Sequence, residues 1–174
     1  MILCPYCQAE NMEGADECEQ CNQPLTEMSV RVPASSVEGD LVRDRIERLW
    51  PKSPSTVTPA TTVGDVLKKM VDEAIGCVMV VDKGKLVGIF SERDALMKLN
   101  TDAPRLANLP ISQFMTADPV TLETNDKIAF ALHKMNIGGY RHVPILFEKK
   151  LAGVISIRDI LRYLTERIAA TGRR

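Results

Sequence analysis

The sequence predicts a mixed α/β (α+β) fold in which two β-α-β-β-α repeats pack as a pseudo-twofold pair, preceded by a small cysteine-rich segment. The first observation is a motif that occurs twice: residues 88–96 read Gly-Ile-Phe-Ser-Glu-Arg-Asp-Ala-Leu and residues 153–161 read Gly-Val-Ile-Ser-Ile-Arg-Asp-Ile-Leu. The second is that this 65-residue offset aligns residues 46–99 with 111–164 without a gap, at 15 identical positions of 54. The third is that four of the five cysteines lie within the first 21 residues. A fixed internal period indicates two copies of one structural unit.

The apolar pattern predicts the same elements in each copy. A short extended piece comes first, then a helix whose apolar residues recur at i, i+3, i+4 and i+7. Two short buried strands joined by a tight turn follow, and a serine opens a second helix. A unit of about 55 residues is marginal alone, so the two copies should pack together. The predicted strands are 55–58, 77–81, 86–90, 120–123, 142–146 and 151–155, with helix starts at Thr62, Ser91, Asp126 and Ser156.

The region before the repeats is predicted to contain a linker and one helix. Residues 27–39 have no sustained period and contain Ser, Pro and Gly, which is typical of a linker. Asp40 could cap a helix that runs to about Leu49, with Pro51 ending it. The predicted domains are therefore 1–26 for the cysteine-rich segment, 27–39 for the linker, 40–105 for the first repeat with its lead-in helix, and 106–174 for the second repeat with its C-terminal helix.

Composition argues against membrane and secreted classes. The chain of 174 residues is 45% apolar and 26% charged, close to the average for globular domains. No apolar run approaches the roughly 20 residues that span a bilayer. The N-terminus has neither the basic region nor the apolar region of a secretory signal. We expect a cytoplasmic protein without a membrane partner.

The four N-terminal cysteines form two Cys-x-x-Cys hooks, Cys4–Cys7 and Cys18–Cys21. Two hooks in a reducing compartment predict a tetrahedral thiolate site for zinc, with iron as the alternative because rubredoxins use the same ligands. Disulfides would need an oxidising compartment, and a redox-active hook would sit in a βαβ pattern, which is missing here. The hooks resemble those of short zinc ribbons, although Gln8 and Asn22 stand where that family usually has glycine.

Charge is distributed unevenly along the chain. The first 30 residues contain no Lys or Arg, whereas the rest carries all 22 basic residues against 17 of the 23 acids. Phosphate contacts come mainly from Lys and Arg, so we do not expect the cysteine-rich segment to bind nucleic acid. A structural role or a contact with a protein partner fits its acidity better. Its carboxylates are Glu10, Glu13, Asp16, Glu17, Glu19 and Glu27.

The repeated Ser-x-Arg-Asp motif has two interpretations that do not exclude each other. Ser91 with Asp94, and Ser156 with Asp159, have the spacing of a helix N-cap, in which the serine accepts from a backbone amide and the acid reaches back. The same helix start can hold a phosphate. A carboxylate at this place can accept hydrogen bonds from both hydroxyls of a ribose.

The two in-phase motifs, with Tyr-Arg-His-Val-Pro-Ile at 140–145 and the lead-in at 112–122, resemble the paired cystathionine-β-synthase (CBS) domains called Bateman modules. The resemblance covers roughly residues 46–168. It implies that the serine and the aspartate of each motif contact the phosphate and the ribose of an adenosine-containing ligand, and that each site draws on both repeats. It thereby groups Thr56 and Arg141 with Asp159, and Thr121 with Asp94. The implied ligand-binding residues are Thr56, Ser91, Arg93, Asp94, Thr121, Arg141, Ser156, Arg158 and Asp159.

The two copies are not expected to be equivalent. Pro144 of the second copy corresponds to Met79 in the first, and the basic pair Arg141-His142 corresponds to Gly76-Cys77. We expect the site built on Asp159 to be favoured. Cys77 is predicted to be a small buried apolar residue, and His133 an ordinary surface residue of its helix.

The leading functional hypothesis is a non-catalytic regulatory module that binds AMP, ADP or ATP, or alternatively NAD or S-adenosylmethionine. No catalytic constellation is recognisable in the sequence, so an enzyme is not expected. The resemblance also implies a homodimer formed through the repeats. The alternatives are a nucleic-acid-binding regulator that uses the cysteine-rich segment and a rubredoxin-like iron protein.

Overall fold

The computed structural model describes residues 2–4, 6–12, 15–23, 25 and 35–171. Most of the predicted linker, residues 27–34, lies outside them. The chain divides into two compact units. Unit 1 comprises Met1–Pro51, Leu122–Val143 and Ile155–Arg174, and unit 2 comprises Lys52–Thr121 and Pro144–Val154. Each unit therefore takes residues from both sequence copies.

Unit 2 is built on a four-stranded sheet in the order β3-β4-β5-β6. β3 runs parallel to β4, whereas β5 pairs antiparallel with both β4 and β6. A helix, α2, connects β3 to β4, as a parallel connection requires. The bounds are β3 Thr56–Val57, α2 Val63–Asp72, β4 Cys77–Asp82, β5 Lys85–Ser91 and β6 Thr116–Ala117.

The core of unit 2 lies where α2 packs against the apolar residues of β4 and β5. α2 begins as predicted, because Thr62 caps it by accepting from the Asp65 amide. Gly88 of the repeated motif lies against Met115, and a side chain at this position would overlap the Met115 sulfur. The glycine of the first motif thus permits Met115 to pack closely against β5. The buried cluster comprises Val63, Val66, Met70, Val78, Val80, Phe90, Leu99 and Ile111.

The segment after β5 is irregular. A single α-helical turn, α3 (Glu92–Asp94), continues as a π-helical turn over Ala95–Leu99 and a 3₁₀ turn over Asn100–Asp102. A short α4 (Ala103–Leu106) and a 3₁₀ turn (Ile111–Gln113) complete the connection to β6. The predicted helix after Ser91 therefore exists only as a broken series of turns.

The second copy forms a three-stranded sheet in the order β7-β8-β9 and two longer helices. The turn between β8 and β9 uses left-handed backbone at Glu148 (φ 50°) and Lys149 (φ 62°). The turn between β4 and β5 does the same at Lys83 (φ 47°) and Gly84 (φ 79°). The hairpin shape is thus kept without the glycine that favours it. The bounds are β7 Leu122–Glu123, α5 Ile128–Gly138, β8 His142–Phe147, β9 Lys150–Ser156 and α6 Ile157–Thr171.

Unit 1 also contains the N-terminal elements. The cysteine-rich segment contributes β1 (Ile2–Leu3) and β2 (Glu10–Asn11), which pair antiparallel. α1 spans Ser36–Arg43, and a 3₁₀ turn follows at Ile46–Leu49. Within the described residues, no helix has the length and apolar character needed to cross a membrane.

Two predicted helix starts in unit 1 are wrong. The helix expected from Asp40 to Leu49 begins earlier, because Ser35 caps it by accepting from the Glu38 amide, and it ends at Arg43. Asp44 and Arg45 are extended and separate it from the 3₁₀ turn. In the second copy Lys127, not Asp126, precedes α5, and the Asp126 carboxylate instead accepts from the Glu123 amide.

The break after α1 coincides with a buried carboxylate. Asp44 is 8% exposed, and one of its oxygens accepts from the Tyr163 hydroxyl at 2.7 Å, Arg167 at 2.9 Å and Arg48 at 3.2 Å. Burial and the bond to Asp44 raise the pKa of Tyr163 to about 12. These bonds join the lead-in region to α6 within unit 1.

We predict that Asp44→Ala lowers the free energy of unfolding by about 3 kcal/mol, because Tyr163 would lose its acceptor and Arg167 the nearer of its two carboxylates, Asp40 being the other. Urea unfolding followed by circular dichroism measures this. The matched control is Asp102→Ala, which removes an exposed ion pair with Arg105 and should cost less than about 1 kcal/mol. A loss at Asp44 no larger than that of the control would contradict the assigned role.

Candidate functional site

The four N-terminal cysteines form one compact cluster. Their sulfur atoms all lie within 4.8 Å of one another. The Cys4 and Cys21 sulfurs are 3.5 Å apart, and so are those of Cys7 and Cys18. Cys4, Cys18 and Cys21 are each 1% exposed, and all five cysteines of the chain are free thiols. Each hook therefore gives one sulfur to each close pair.

Both hooks have the same backbone geometry. In the first, the Gln8 amide donates to the Cys4 carbonyl at 2.8 Å; in the second, the Asn22 amide donates to the Cys18 carbonyl at 2.8 Å. Gln8 (φ 62°) and Asn22 (φ 55°) both adopt left-handed backbone. These are the positions where glycine is usual, so the knuckle turn is preserved at some conformational cost.

The thiols are in different local fields. Burial acts to raise the pKa of Cys18, but the amides of Cys21 and Gln20 point at its sulfur and lower the pKa to about 6. Burial raises the pKa of Cys7 to about 11, and it also raises the pKa of Cys21. The local fields therefore favour the thiolate of Cys18 over those of Cys7 and Cys21.

The sulfur positions fit a metal ion. Tetrahedral zinc–thiolate bonds of about 2.3 Å place the sulfurs about 3.8 Å apart. The observed separations, from 3.5 Å up to at most 4.8 Å, bracket that value. Backbone amides directed at a sulfur are also common around thiolate-bound metals, because they stabilise its negative charge. The donor set and geometry thus suit zinc or iron.

The second hook is docked on α5. His133 Nε2 lies 2.9 Å from the Cys21 carbonyl oxygen, to which it donates, and its Nδ1 accepts from the Gln23 side chain at 2.7 Å. Lys134 donates to the Gln20 carbonyl at 3.3 Å. His133 is half-buried, so the prediction that it is an ordinary surface residue is wrong. Its partners lie more than a hundred positions away, and no local pattern could have indicated them.

The first Ser-x-Arg-Asp motif forms a capping box at the start of α3. Ser91 accepts from the Asp94 amide, and the Asp94 carboxylate accepts from the Ser91 amide at 2.9 Å and its hydroxyl at 2.7 Å. Burial acts to raise the pKa of Asp94, but bonds from Lys98 and Ser91 outweigh it and hold the pKa below its ordinary value. The carboxylate is therefore ionised at neutral pH.

The second motif repeats this geometry at the start of α6. The Asp159 carboxylate accepts from the Ser156 amide at 2.8 Å and its hydroxyl at 2.7 Å. Each helix start is also bonded to the residue before the preceding hairpin. The Glu92 amide donates to the Gly76 carbonyl at 3.0 Å, and the Ile157 amide donates to the Arg141 carbonyl at 2.9 Å. Asp159 is only 3% exposed. The capping box is thus confirmed in the first copy, and in the second copy the Asp159 carboxylate makes the same bonds back to Ser156.

The other predicted ligand residues are mostly exposed. Thr56 lies on β3 opposite Met79, and Thr121 immediately precedes β7. Arg93 and Arg158 present exposed side chains in the first turn of α3 and α6, and Arg141 presents an exposed side chain immediately before β8. Thr56, Thr121 and Arg93 belong to unit 2, whereas Arg141, Arg158 and Asp159 belong to unit 1. Their shared membership of ligand sites stays a prediction.

The hydroxyl that reaches Asp94 is one that the sequence did not indicate. Thr116 of β6 donates to Asp94 at 3.0 Å, and Lys98 forms an ion pair with Asp94 at 2.7 Å. Thr121 is not among the hydrogen-bond partners of Asp94 in the described chain. A lysine four residues after an acid on a helix could have suggested the ion pair, but the contact with Thr116 depends on strand pairing.

The two copies differ, as expected, at the start of β4 and of β8, where Cys77 corresponds to His142 and Met79 to Pro144. Cys77 is 6% exposed, and burial raises the pKa of its thiol to about 12, as expected of a small buried apolar residue. It packs with Met79 and Ile89. His142 at the corresponding position is half-buried, and Pro144 is buried.

The family comparison agrees with the duplicated motif. A family model described as the CBS domain matches residues 46–101 and again 111–166. An uncharacterized 17.7 kDa protein of Acidianus ambivalens is 32% identical over 112 residues, which cover 63% of this chain and 66% of that protein. The chain spans 21% of the length of another relative, a CBS domain-containing protein of Arabidopsis thaliana.

Solved structures share the fold. A CBS-domain-containing protein of Agrobacterium tumefaciens is 28% identical with a TM-score of 0.65, and the match covers 69% of this chain and 98% of that one. A CBS domain protein of Pyrobaculum aerophilum complexed with AMP is 25% identical with a TM-score of 0.62, covering 73% and 99%. The mixed α+β fold and the resemblance to paired CBS domains are thereby confirmed, and the chain belongs to the CBS domain family.

Proposed function

We propose that this CBS pair is a non-catalytic regulatory module that binds an adenosine-containing ligand at the two Ser-x-Arg-Asp helix starts. AMP, ADP and ATP are the leading candidates, with NAD and S-adenosylmethionine as alternatives. The observation that carries the proposal is the pair of anchored carboxylates, Asp94 and Asp159, held in matching geometry by Ser91 and Ser156. The AMP complex of the similar Pyrobaculum aerophilum protein supports this ligand class.

The chemistry of the helix starts suits such a ligand. An ionised carboxylate accepts strong hydrogen bonds from the vicinal hydroxyls of ribose. Asp159 lies in the first turn of α6, a helix of 15 residues. The positive N-terminal end of this helix also favours a phosphate. α3 contains only three residues and offers no comparable dipole. Arg158 adds positive charge beside Asp159. These differences support the Asp159 site as the stronger one.

The cysteine-rich segment is proposed to be a structural cap held by one zinc ion. Cys4, Cys7, Cys18 and Cys21 would supply all four ligands, and a metal supplies the folding free energy that so short a segment lacks. The contacts of His133 and Lys134 with the second hook support a cap seated on α5. A protein partner at its acidic surface and iron in place of zinc stay predictions.

Self-association also stays a prediction from the family. Exposed apolar side chains support it: Leu96 (72%) and Met97 (75%) in unit 2, and Leu161 (55%) and Ile168 (61%) in unit 1. Leu96 and Met97 are adjacent in the chain, and contiguous exposed apolar surface is typical of interaction sites.

Substitution of Asp159 tests the ligand site. Asp159→Ala should weaken AMP binding by about 10- to 150-fold, because hydrogen bonds to a charged group contribute about 1.5–3 kcal/mol. Isothermal calorimetry measures the change. Asp159→Asn keeps one acceptor oxygen and is the second variant to measure if Asp159→Ala does not fold. Asp72→Ala, at an exposed position, is the matched control. AMP affinity unchanged in Asp159→Ala would remove this residue from the site.

Elemental analysis tests the metal cap. The purified protein should contain one zinc per chain, and Cys21→Ser should lose it, because a tetrahedral site needs all four thiolates. The matched control is Cys77→Ser, which removes a buried thiol outside the cluster and should retain the metal. A red protein that contains one iron per chain would show that the site holds iron and not zinc. A folded protein that contains no metal would refute the metal site.

A further inference from the structure

The Asp94 carboxylate is already saturated with hydrogen-bond donors. Its Oδ2 accepts from the Ser91 amide at 2.9 Å and the Ser91 hydroxyl at 2.7 Å. Its Oδ1 accepts from the Thr116 hydroxyl at 3.0 Å and pairs with Lys98 Nζ at 2.7 Å. An ionised carboxylate has about four lone-pair sites. A ribose hydroxyl can therefore bond to Asp94 only if one of these donors leaves.

Lys98 is the donor best able to leave. The two Ser91 donors belong to the capping box that starts α3, and Thr116 is fixed in β6 by pairing with Ile89. Lys98 reaches Asp94 through a flexible four-carbon side chain that is 38% exposed. Removing a single exposed side chain from the carboxylate disturbs the fold less than breaking the cap or the sheet.

Lys98 is nevertheless well held in the ligand-free protein. Its ammonium group also donates to the Phe114 carbonyl at 2.8 Å and to Thr116 at 3.3 Å. The three N–H donors of an ammonium group therefore have three acceptors: Asp94, Phe114 and Thr116. The π-helical turn of residues 95–99 carries Lys98 to this place. A ligand must displace all three bonds, or rotate Lys98 away, before ribose can replace it.

The second copy lacks this arrangement. At the 65-residue offset, Lys98 corresponds to Tyr163, whose hydroxyl donates to Asp44 instead. A cation does approach Asp159, but Arg162 lies at 3.3 Å and its second bond, to the Leu49 carbonyl, is 3.4 Å long. Its side chain is 50% exposed. The contact is longer and more exposed than the ion pair of Lys98 with Asp94, which makes it easier to displace.

We propose that Lys98 is a specificity-determining residue that closes the Asp94 site against ribose, so that the Asp159 site fills first. This inference rests on the proposed function. It assigns to Lys98 a role that opposes binding, although a lysine near a nucleotide site would usually be expected to attract phosphate. The two sites of one chain are then filled at different ligand concentrations.

The test uses adenosine as the probe, because a neutral nucleoside removes any attraction between Lys98 and phosphate. Calorimetry in an Asp159→Ala background isolates the Asp94 site, with Asp159→Asn as a second background. Adding Lys98→Met should tighten adenosine binding about ten-fold or more, because ribose gains a bond to a charged acceptor. Lys98→Gln provides a second variant, and circular dichroism checks that each protein is folded.

Two controls separate a site effect from a general one. Lys69→Met breaks an ion pair with Glu73 of the same i, i+4 spacing and similar exposure, 35% for the Lys69 side chain. It should leave adenosine affinity unchanged. Adding Asp94→Ala should abolish the gain from Lys98→Met, because the proposed effect acts through Asp94.

The outcomes are distinct. Unchanged or weaker adenosine binding on Lys98→Met, in a protein whose wild type binds adenosine, overturns the role of Lys98 and leaves the proposed function standing. A gain that persists without Asp94 overturns it as well. Absence of adenosine and AMP binding in the wild type and every variant refutes the proposed function and this inference with it.

Discussion

A carboxylate buried at the start of a helix must find donors, and in both copies the serine three residues earlier supplies them. The amide and the hydroxyl of Ser91 bond to one oxygen of Asp94, and those of Ser156 bond to one oxygen of Asp159. These short bonds fix the turn from strand to helix, because they hold the backbone of the serine and the side chain of the aspartate together. The other carboxylate oxygen contacts different side chains in the two copies: Thr116 and Lys98 for Asp94, and Arg162 for Asp159.

What surrounds the two helix starts differs, although their backbone frames match. After Asp94 the chain passes into a π-helical turn that brings Lys98 to the carboxylate. After Asp159 the helix continues for a further three turns, and Tyr163 turns towards Asp44. A duplicated frame with unequal surroundings is a means of making two related sites with different affinities. It requires changes only in side chains and in the path of one helix.

The cysteine-rich segment contributes to the same unit as α6 and α5. The second hook is tied to α5 through the Cys21 carbonyl and His133. Metal binding at the four sulfurs would fix the hook whose carbonyl His133 contacts. Lys134 adds a hydrogen bond to the Gln20 carbonyl, and the Gln23 side chain donates to His133. These contacts with α5 go through backbone carbonyls and an amide side chain of the segment.

Local and periodic evidence predicted part of the fold. Thr62 as a cap and the box of Ser91 and Asp94 depend on residues within one turn, and the 65-residue period placed the paired strands of both copies. The same kind of evidence failed at the Asp40 and Asp126 caps, and the period did not indicate that the helix after Ser91 is broken. The break after α1 could not be predicted, because it coincides with a bond between Asp44 and Tyr163, 119 residues away. The docking of His133 and the contact of Thr116 with Asp94 likewise depend on tertiary neighbours. Neither contact can be inferred from helix and strand propensities or from the spacing of residues in the sequence.

The central claim is that these carboxylates hold the hydroxyls of a ribose. Isothermal calorimetry on the wild-type protein with adenosine and with 2′,3′-dideoxyadenosine tests it most directly, because the two ligands share the base and differ in the sugar hydroxyls. We expect the dideoxy nucleoside to bind at least about ten-fold more weakly, since it lacks the 2′ and 3′ hydroxyls that would donate to Asp159. Equal affinity for the two nucleosides would contradict it.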